Sequence, residues 1–591
     1  MARLAVILHD GSPGWRELRL SRILDFFGVP WKAVPAPDLG EVGKLGLEYV
    51  IIGSIRSIAT NLEQRQKANA TTLAPVAYYA YVDDERSLCT SALQSLFGDV
   101  NLSLQPAPGD DLALKISGDL AGLAGPMAGL KFSLRLDRED AVLAGAPADG
   151  LPMLAAVISA ANSPVFIRFQ HNDAPVFVCT SSRMVDIGET VSKGFYDIKD
   201  HFCSAVPLVM FIKFMFREVA WRAQELGACL IIDDALLKPK YGFCNFANLR
   251  TLMQRFGFTT NIAFIPWNWR RTSPAAGKFF NDESGDFSVS IHGCDHTAGE
   301  FGVTSPEVLN ARAHLARSRM RNHKSRTGIQ HDSVMVFPQG AFSSVCPEIL
   351  KRNGYLAAVN TEIVPVDSEN SRTRIRDVWD VAIMTYDNFP IFTRRYAFHG
   401  IENFAFDLLL GKPCLIVAHH DFFKDGGAAL IELIEKIGSL NSRVRWRPLG
   451  EVIRRACRRR DTGAGTEELE MYGNELLIGN PSDQAIEVKI RKKKSHNDLA
   501  SEILCDEKSV NWTTQGDHFC FGDKIGSKSE MCFRVVYQEQ PGTRKARRSL
   551  RLELAVASRR ILSEFRDDYL ATSAILSVPA ERLKNAFKKA N

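Results

Sequence analysis

Four short apolar runs in the middle of the chain end abruptly in polar residues. Such runs are typical of buried strands, and α/β proteins keep their active sites at the carboxyl ends of their strands. The residues that follow the four runs are Asp233 and Asp234, His292 and His296, Pro338 and Gln339, and His419 and His420. Because parallel strands bring their carboxyl ends together, the pattern predicts a barrel with an active site at one mouth.

Asp234, His292 and His296 have the residue types of a divalent-metal site. A carboxylate and two neutral imidazoles bind metal near neutral pH, and three protein ligands leave positions open for water and substrate. The two histidines are four residues apart, so they can converge from one helical turn or one tight loop. The alternative is a chance spacing among thirteen histidines. The strand-end position favours the metal, with Zn²⁺ as the first choice.

Asp233 and the His419–His420 pair are the candidates for acid–base chemistry. Asp233 adjoins a predicted metal ligand and could act as general base on water. The alternative is a carboxylate that orients a metal-binding histidine. Side chains alternate along a strand, so only one of His419 and His420 can point into the mouth.

The ordered set of motifs resembles the polysaccharide deacetylase family, also described as NodB-homology or carbohydrate esterase 4-like proteins. The resemblance covers about residues 225–455 and implies a distorted (β/α) barrel with a metal held by Asp-His-His. It implies Asp233 as the base and, because its apolar-x-His pattern fits Val417-Ala418-His419, His419 as the acid. The metal ligands that it implies are Asp234, His292 and His296.

The resembled family carries an arginine at the turn after its third strand, where it pairs with the base aspartate and keeps it ionised. In this chain the turn reads Phe337-Pro338-Gln339-Gly340, and a glutamine brings no positive charge. We therefore expect another cation to reach Asp233. The candidates on predicted mouth loops are Lys238, Lys240, Arg270 and Arg271. The alternative is a base with a higher pKa in a slow enzyme, or a chain that is not an enzyme.

The implied activity is removal of an acyl group from an N-acylated sugar or a related amide. The substrate-binding candidates are Tyr241, Trp267, Trp269, Pro338, Gln339 and His420. Sugars stack on aromatic faces, although core packing is the commoner fate of tryptophan. One alternative is a glycoside hydrolase, which needs two carboxylates flanking a bond and fits the adjacent Asp233 and Asp234 poorly. The other is a non-catalytic carbohydrate-binding or assembly protein on the same barrel.

Composition predicts a soluble protein of several domains. A chain of 591 residues, 45% hydrophobic and 24% charged, is too long for one core, and a net charge of +5 is too mild to indicate nucleic-acid binding. The amino terminus reads as a strand rather than a signal peptide, and no apolar run reaches the length of a membrane span. Twelve cysteines without a Cys-x-x-Cys pair are typical of reduced thiols, so a cytoplasmic location is expected. The oligomeric state is left open.

The expected fold class is α/β, with the barrel between two other domains. Residues 1–200 alternate strand and helix, as in a flavodoxin-like or amidotransferase-like domain. The barrel takes residues 201–460, and residues 461–466 form a linker by composition. Residues 467–540 alternate in polarity and predict a small β-sandwich. Residues 541–591 form a basic tail that is helical or partly disordered.

Two amphipathic helices are predicted inside the barrel region. One covers Tyr241–Phe256, with its apolar residues on one face. The other covers Pro306–Arg321, with Ser305 as its N-cap and proline at its first position.

Overall fold

The computed structural model of the protein describes residues 3–36, 47–67, 74–97, 102–107, 109, 111–145, 155–171, 174–282, 285–463, 465–495, 498, 500–537 and 550–570. Three β-structured regions follow one another along the described chain, and a helix stands at its end. Within these residues no helix is both long and apolar enough to cross a membrane.

The central region is a barrel of parallel strands. Its wall consists, in order, of Leu226–Asp233, Thr260–Phe264, Phe287–His292, Val334–Val336, Ala357–Asn360 and Ile391–Thr393, with Cys414–Ala418 against the other side of the first strand. A further short strand, Val444–Trp446, pairs with the amino end of the first strand. All of these pairings are parallel, as the apolar strand runs predicted.

The barrel closes through one extended segment, residues 391–396. Its first part, Ile391–Thr393, pairs with Ala357–Asn360, and its second part, Arg395–Tyr396, pairs with Cys414–Ala418. Arg394 lies between the two parts. The two edge strands of the barrel wall therefore belong to one continuous segment. The predicted parallel barrel is confirmed.

Helices connect the barrel strands: Phe246–Phe256, Pro274–Asp282, Pro306–Thr327, Cys346–Arg352, Ile375–Trp379, Ile401–Leu410 and Ala428–Leu440. A further helix, Leu449–Arg455, follows the last barrel strand. The helix from Pro306 begins as predicted, because the Ser305 hydroxyl accepts from the Val308 amide, and it continues to Thr327. The helix predicted from Tyr241 begins instead at Phe246. Tyr241 and Cys244 pair in a two-residue hairpin, which takes the preceding backbone out of the helix.

A nine-stranded sheet precedes the barrel. Its parallel half contains Arg3–His9, Trp31–Pro35, Glu48–Ser54, Ala77–Tyr81 and Ala174–Cys179. The helices Trp15–Phe27, Ile55–Lys67 and Arg86–Phe97 alternate with the first four of these strands, as predicted. The other half is antiparallel and contains Ser163–His171, Ala155–Ala160, Asp111–Ile116 and Lys131–Arg135. Residues 172–173 lie outside the described residues, and a flavodoxin-like classification stays a prediction.

The helix Phe202–Met215 joins the first sheet to the barrel. Almost all of its side chains are buried, since it is apolar on every side. Phe211 packs on Tyr79 of the first sheet, with ring centroids 4.9 Å apart. One continuous apolar core therefore runs from the first sheet through this helix into the barrel.

Two further sheets follow the barrel and share one apolar core. Their strands include Cys457–Gly463, Thr466–Met471, Glu475–Asn480, Ile486–Lys493, Ala500–Cys505, His518–Ile525 and Ser529–Tyr537. The predicted linker at 461–466 is wrong for its described residues, because 461–463 and 465–466 belong to the hairpin of the first two strands. Cross-strand pairs of Arg459 with Glu467 and Arg460 with Glu468 explain why a charged, glycine-containing stretch is ordered.

The last described element lies at the barrel mouth. It consists of the helix Leu550–Phe565 and the turn Arg566–Leu570, here called the C-terminal segment. The helical part of the predicted tail is present in these residues, whereas residues 541–549 and 571–591 lie outside the described chain. The domain boundaries predicted from composition stay predictions.

Candidate metal and acid–base site

Asp234, His292 and His296 converge at the mouth of the barrel. Asp234 follows the first strand, His292 ends the third, and His296 lies in the loop after it. One ligand atom from each of the three residues lies within 4.8 Å of the others. Nε2 of His296 is 2.9 Å from Oδ1 of Asp234, and Nε2 of His292 is 3.4 Å from the same oxygen. Two strands thus bring together the set that the sequence motifs predicted.

The neighbouring strand fixes the orientation of His292. Its Nδ1 donates to the carbonyl oxygen of Val336 at 2.9 Å, which leaves the Nε2 lone pair directed toward Asp234. A metal-binding histidine typically donates its other ring N–H to a carbonyl or carboxylate in this way. The arrangement around His292 therefore fits a metal ligand.

The loop that carries His296 is held by Glu300. The Glu300 carboxylate accepts from the backbone amides of Cys294 at 2.7 Å, Asp295 at 3.0 Å and His296 at 3.1 Å. Pro338 packs where a Cβ on Gly293 would lie, and Gly293 has a φ of +64°, so only glycine fits there. The position of His296 is thus set by a buried carboxylate rather than by a helix.

Three non-glycine residues around the mouth have left-handed backbone conformations. Their φ angles are 68° at Asp234, 57° at His296 and 58° at Gln339. Such conformations cost on the order of 1–3 kcal/mol each and cluster at functional sites. Their concentration at the strand ends supports a functional role for this mouth.

Asp233 forms a buried, bidentate ion pair with Arg394. The two guanidinium nitrogens donate to the two carboxylate oxygens at 2.7 Å each, and both residues are under 5% exposed. Burial alone would raise the pKa of Asp233, but Arg394 and the nearby His292 outweigh it and the pKa is lowered. The expected replacement of the missing arginine is therefore present.

The cation that reaches Asp233 differs from all four candidates named from the sequence. Lys238 and Arg271 both pair with Glu564 of the C-terminal segment. Lys240 and Arg270 are exposed. Arg394 follows the apolar run Pro390–Thr393, and the same strand-end pattern that pointed to the other site residues could have found it.

The carboxylates also act on the metal-site histidine. Burial alone would lower the pKa of His292, but Asp233 and Asp234 face the ring and raise it. His296 and His292 lower the pKa of Asp234 well below its usual range, although burial alone would raise it. The mouth therefore holds its two aspartates as carboxylates, which is the form that binds metal or accepts a proton.

His419 and His420 face different partners. His419 is close enough to contribute to the lowered pKa of Asp233, and its ring is stacked with Tyr396 at 6.2 Å. Nε2 of His420 lies 3.4 Å from the Asp567 carboxylate. Alternation along the strand end thus directs one imidazole to Asp233 and the other to the C-terminal segment.

The predicted substrate-binding residues have varied environments. Trp267 and Trp269 are half-buried, and each is covered by a guanidinium: Arg271 lies 5.5 Å from Trp267 and Arg270 4.5 Å from Trp269. Gln339 is exposed and accepts from the Gly299 amide at 3.3 Å. Cys294, which lies between the two metal-site histidines in sequence, is buried and contacts Arg319 through its sulfur.

The C-terminal segment occupies part of the mouth, which no sequence motif predicted. The Asp567 carboxylate accepts from the Tyr241 hydroxyl at 2.7 Å, and the Asp568 carboxylate accepts from the Gly242 amide at 2.7 Å. Glu564 binds Lys238 and Arg271. Tyr241, predicted to contact substrate, is therefore buried against a residue of the same chain.

Comparisons with known proteins give structural resemblances only. No protein-family model and no curated protein matches the chain. A Mycobacterium smegmatis protein provisionally described as a polysaccharide deacetylase aligns with 12% identity and a TM-score of 0.28, over 40% of this chain and 91% of that one. The family 4 carbohydrate esterase from Streptomyces lividans aligns with 13% identity and a TM-score of 0.23, over 37% and 90%. A β-galactosidase from Bacillus circulans sp. alkalophilus aligns with 10% identity and a TM-score of 0.20, over 30% and 28%.

We expect Arg394→Met to lower the free energy of unfolding of the barrel by about 3–5 kcal/mol, because it leaves a buried carboxylate unpaired. Calorimetric thermal unfolding measures the change, with Arg372→Met at an exposed position as the control. The double change Asp233→Leu with Arg394→Met removes both charges, so it should unfold closer to the parent. Equal losses in the single and double variants would show that the ion pair is not the cause.

Docking of the C-terminal segment should weaken in acid. Burial would raise the pKa of Asp567, but His420, Arg566 and Tyr241 lower it to about 2, below the unfolded value of 3.8. The stabilisation, about 2 kcal/mol, is complete above pH 4 and is lost as the pH falls toward 2. Hydrogen exchange of residues 550–568 measures it. Asp567→Asn should exchange faster at neutral pH and lose this acid dependence; an unchanged profile would contradict the assignment.

Proposed function

We propose that the protein is a metal-dependent hydrolase of the polysaccharide deacetylase type, which removes an acyl group from an N-acylated sugar or a related amide. The observation that carries the proposal is the convergence of Asp234, His292 and His296 beside an ionised Asp233. Barrel cores do not require two carboxylates and two imidazoles at one strand-end mouth, since each costs free energy to bury. Active sites concentrate such groups.

The three converging residues fit a divalent metal, and Zn²⁺ is the first choice for a site of nitrogen and oxygen ligands. Oδ1 of Asp234 is buried and has no hydrogen-bond partner among the described residues. Both Nε2 atoms face Asp234, so each ring presents a donor atom to the same space. When bound, the metal polarises the acyl oxygen and makes water more acidic.

Asp233 is proposed as the general base. Its ion pair with Arg394 keeps it ionised and fixes its orientation. Each carboxylate oxygen has two acceptor positions, so Asp233 can take a proton from water while it keeps both bonds to Arg394. The arginine thus acts as a positioning residue for the base.

His419 is proposed as the general acid. It ends a different strand from Asp233 and lies near enough to influence the Asp233 carboxylate. A protonated imidazole can donate to the nitrogen of the leaving amine, and this step is required because an amide anion is a poor leaving group. His420 is bound to the C-terminal segment and takes no part in the proposed proton transfer.

The substrate class rests on the resemblance of the motifs and on the geometry together. Both aspartates are held as carboxylates, because the pKa of Asp233 is lowered by Arg394 and that of Asp234 by the two facing histidines. Neither is free to protonate a glycosidic oxygen, which a glycoside hydrolase would require. Hydrolysis of an N-acyl bond is therefore favoured over cleavage between sugars.

We expect Asp234→Ala and His296→Ala to bind much less Zn²⁺ than the parent, because two remaining ligands form a weak site. Elemental analysis after dialysis against limiting Zn²⁺ gives the stoichiometry, with one ion expected in the parent. His314→Ala, at an exposed histidine outside the site, is the control. Parent-like zinc content in both site variants would refute the ligand assignment.

Asp233→Asn and His419→Ala should keep the metal and lower kcat for N-acylated sugars by ~10²–10⁴, the usual effect of losing an acid or a base. His314→Ala, at an exposed histidine outside the site, is the control and should keep the parent activity. His420→Ala should lower kcat less than His419→Ala does. Rates on a panel of N-acetylated sugars and metal content are measured for the same preparations. A metal-loaded parent without turnover would replace the enzyme proposal by the binding-protein alternative, and a larger loss in His420→Ala would exchange the two histidines.

A further inference from the structure

Arg560 is the charged residue of the C-terminal segment whose environment the proposed chemistry leaves unexplained. It is 8% exposed, although it belongs to a helix with many exposed side chains. Its Nε is buried without a hydrogen-bond partner, and its Nη2 donates to Ser563 at 3.1 Å. A guanidinium carries five N–H donors, so most of the hydrogen-bonding capacity of Arg560 is unused.

The other charges where the segment docks are paired. Glu564 binds Lys238 and Arg271, and Asp567 binds Arg566 and contacts His420. Arg560, by contrast, forms no ion pair with any carboxylate in the part of the chain that the structure describes. Burying an unpaired charge costs several kcal/mol, so a native structure that retains one usually supplies a partner from outside.

Arg560 lies beside the proposed metal site. Its helix places it one turn before Glu564, which binds Lys238 and Arg271. Burial lowers the pKa of its guanidinium, and the carboxylates of Asp234 and Asp567 act against this effect. Asp234 is within electrostatic range of Arg560 but forms no ion pair with it, being engaged by His292 and His296. A ligand held at the metal site would therefore extend toward a buried, unpaired cation.

We propose that Arg560 is a substrate-recognition residue that binds an anionic group, a carboxylate or a phosphate, on the N-acylated substrate. The proposal rests on the proposed function, because it places the acyl group at the Asp234–His292–His296 site. Guanidinium groups bind carboxylate and phosphate with two parallel hydrogen bonds, and a buried position strengthens such bonds. The C-terminal segment thus forms one wall of the substrate site.

The test uses the full-length, zinc-loaded protein with His419→Ala, which slows turnover so that binding can be measured. Three probes differ in one group: N-acetylglucosamine is neutral, N-acetylglucosamine 6-phosphate carries a phosphate, and N-acetylmuramic acid carries a carboxylate. Calorimetric titration gives the dissociation constant of each. At least one charged probe should bind ~10-fold or more tightly than the neutral one, the usual gain from a charge-assisted hydrogen bond. The charged probe that binds more tightly identifies the anionic group.

Matched variants in the same background separate recognition from folding. Arg560→Gln should remove the preference for the charged probe, Arg560→Lys should keep part of it, and Arg559→Gln, at the adjacent and less buried arginine, should keep all of it. Hydrogen exchange of residues 550–568 in Arg560→Gln should match the parent. Charged probes that bind no better than the neutral one, or a preference that survives Arg560→Gln, would overturn the proposal.

Failure of the proposed function gives a different result. If the parent hydrolyses no N-acyl bond but charged probes still bind through Arg560, the anion site stands and the deacetylase assignment falls. If the parent hydrolyses neutral and charged substrates equally and Arg560→Gln changes neither rate, the function stands and the recognition role falls.

Discussion

The ion pair between Asp233 and Arg394 is the interaction on which the mouth of the barrel depends. It joins the end of the first strand to the segment that closes the barrel, across 161 residues of sequence. A buried pair of this kind contributes little net stability compared with apolar residues, but either charge alone is costly. Closure of the barrel and ionisation of Asp233 are therefore coupled, because each requires Arg394 in the same position.

The positions of the proposed metal ligands follow from this ion pair. Asp234 comes directly after Asp233, so the residue that anchors the pair also sets the place of the first ligand. The backbone turns into a left-handed conformation at Asp234 and again at His296. Glu300 stabilises the second of these turns through three amide hydrogen bonds. Fixed ligands of this kind reduce the reorganisation needed when a metal binds.

The C-terminal segment extends the site beyond the barrel. It docks through polar contacts of Glu564, Asp567 and Asp568. Their partners are Lys238, Tyr241, Gly242, Arg271 and His420, which lie on loops at the barrel mouth. Hydrogen bonds to charged groups contribute roughly 1.5–3 kcal/mol each, so several contacts together hold the segment. Such an element can shape a substrate site without changing the barrel that supports it.

The sequence by itself determined which residues stand at the strand ends and what chemistry they offer. Asp233, Asp234, His292 and His419 each stand where an apolar run gives way to polar residues, and such a change of residue type is a local property that a pattern records. The start of the helix at Pro306 was predictable for the same reason, since a cap and a first-turn proline act on neighbouring backbone.

Only the tertiary structure decided which charges meet. Arg394 reaches Asp233, although the four predicted cations are nearer to Asp233 in sequence. The reason is that closure of the barrel brings residues 391–396 beside the first strand. The described residues of 461–466, a stretch typical of a linker by composition, belong to a hairpin because arginines and glutamates pair across it. The docking of Arg560 and Asp567 at the mouth left no signal in the sequence. An ion pair between distant residues depends on the distance that packing imposes, and no local pattern records that distance.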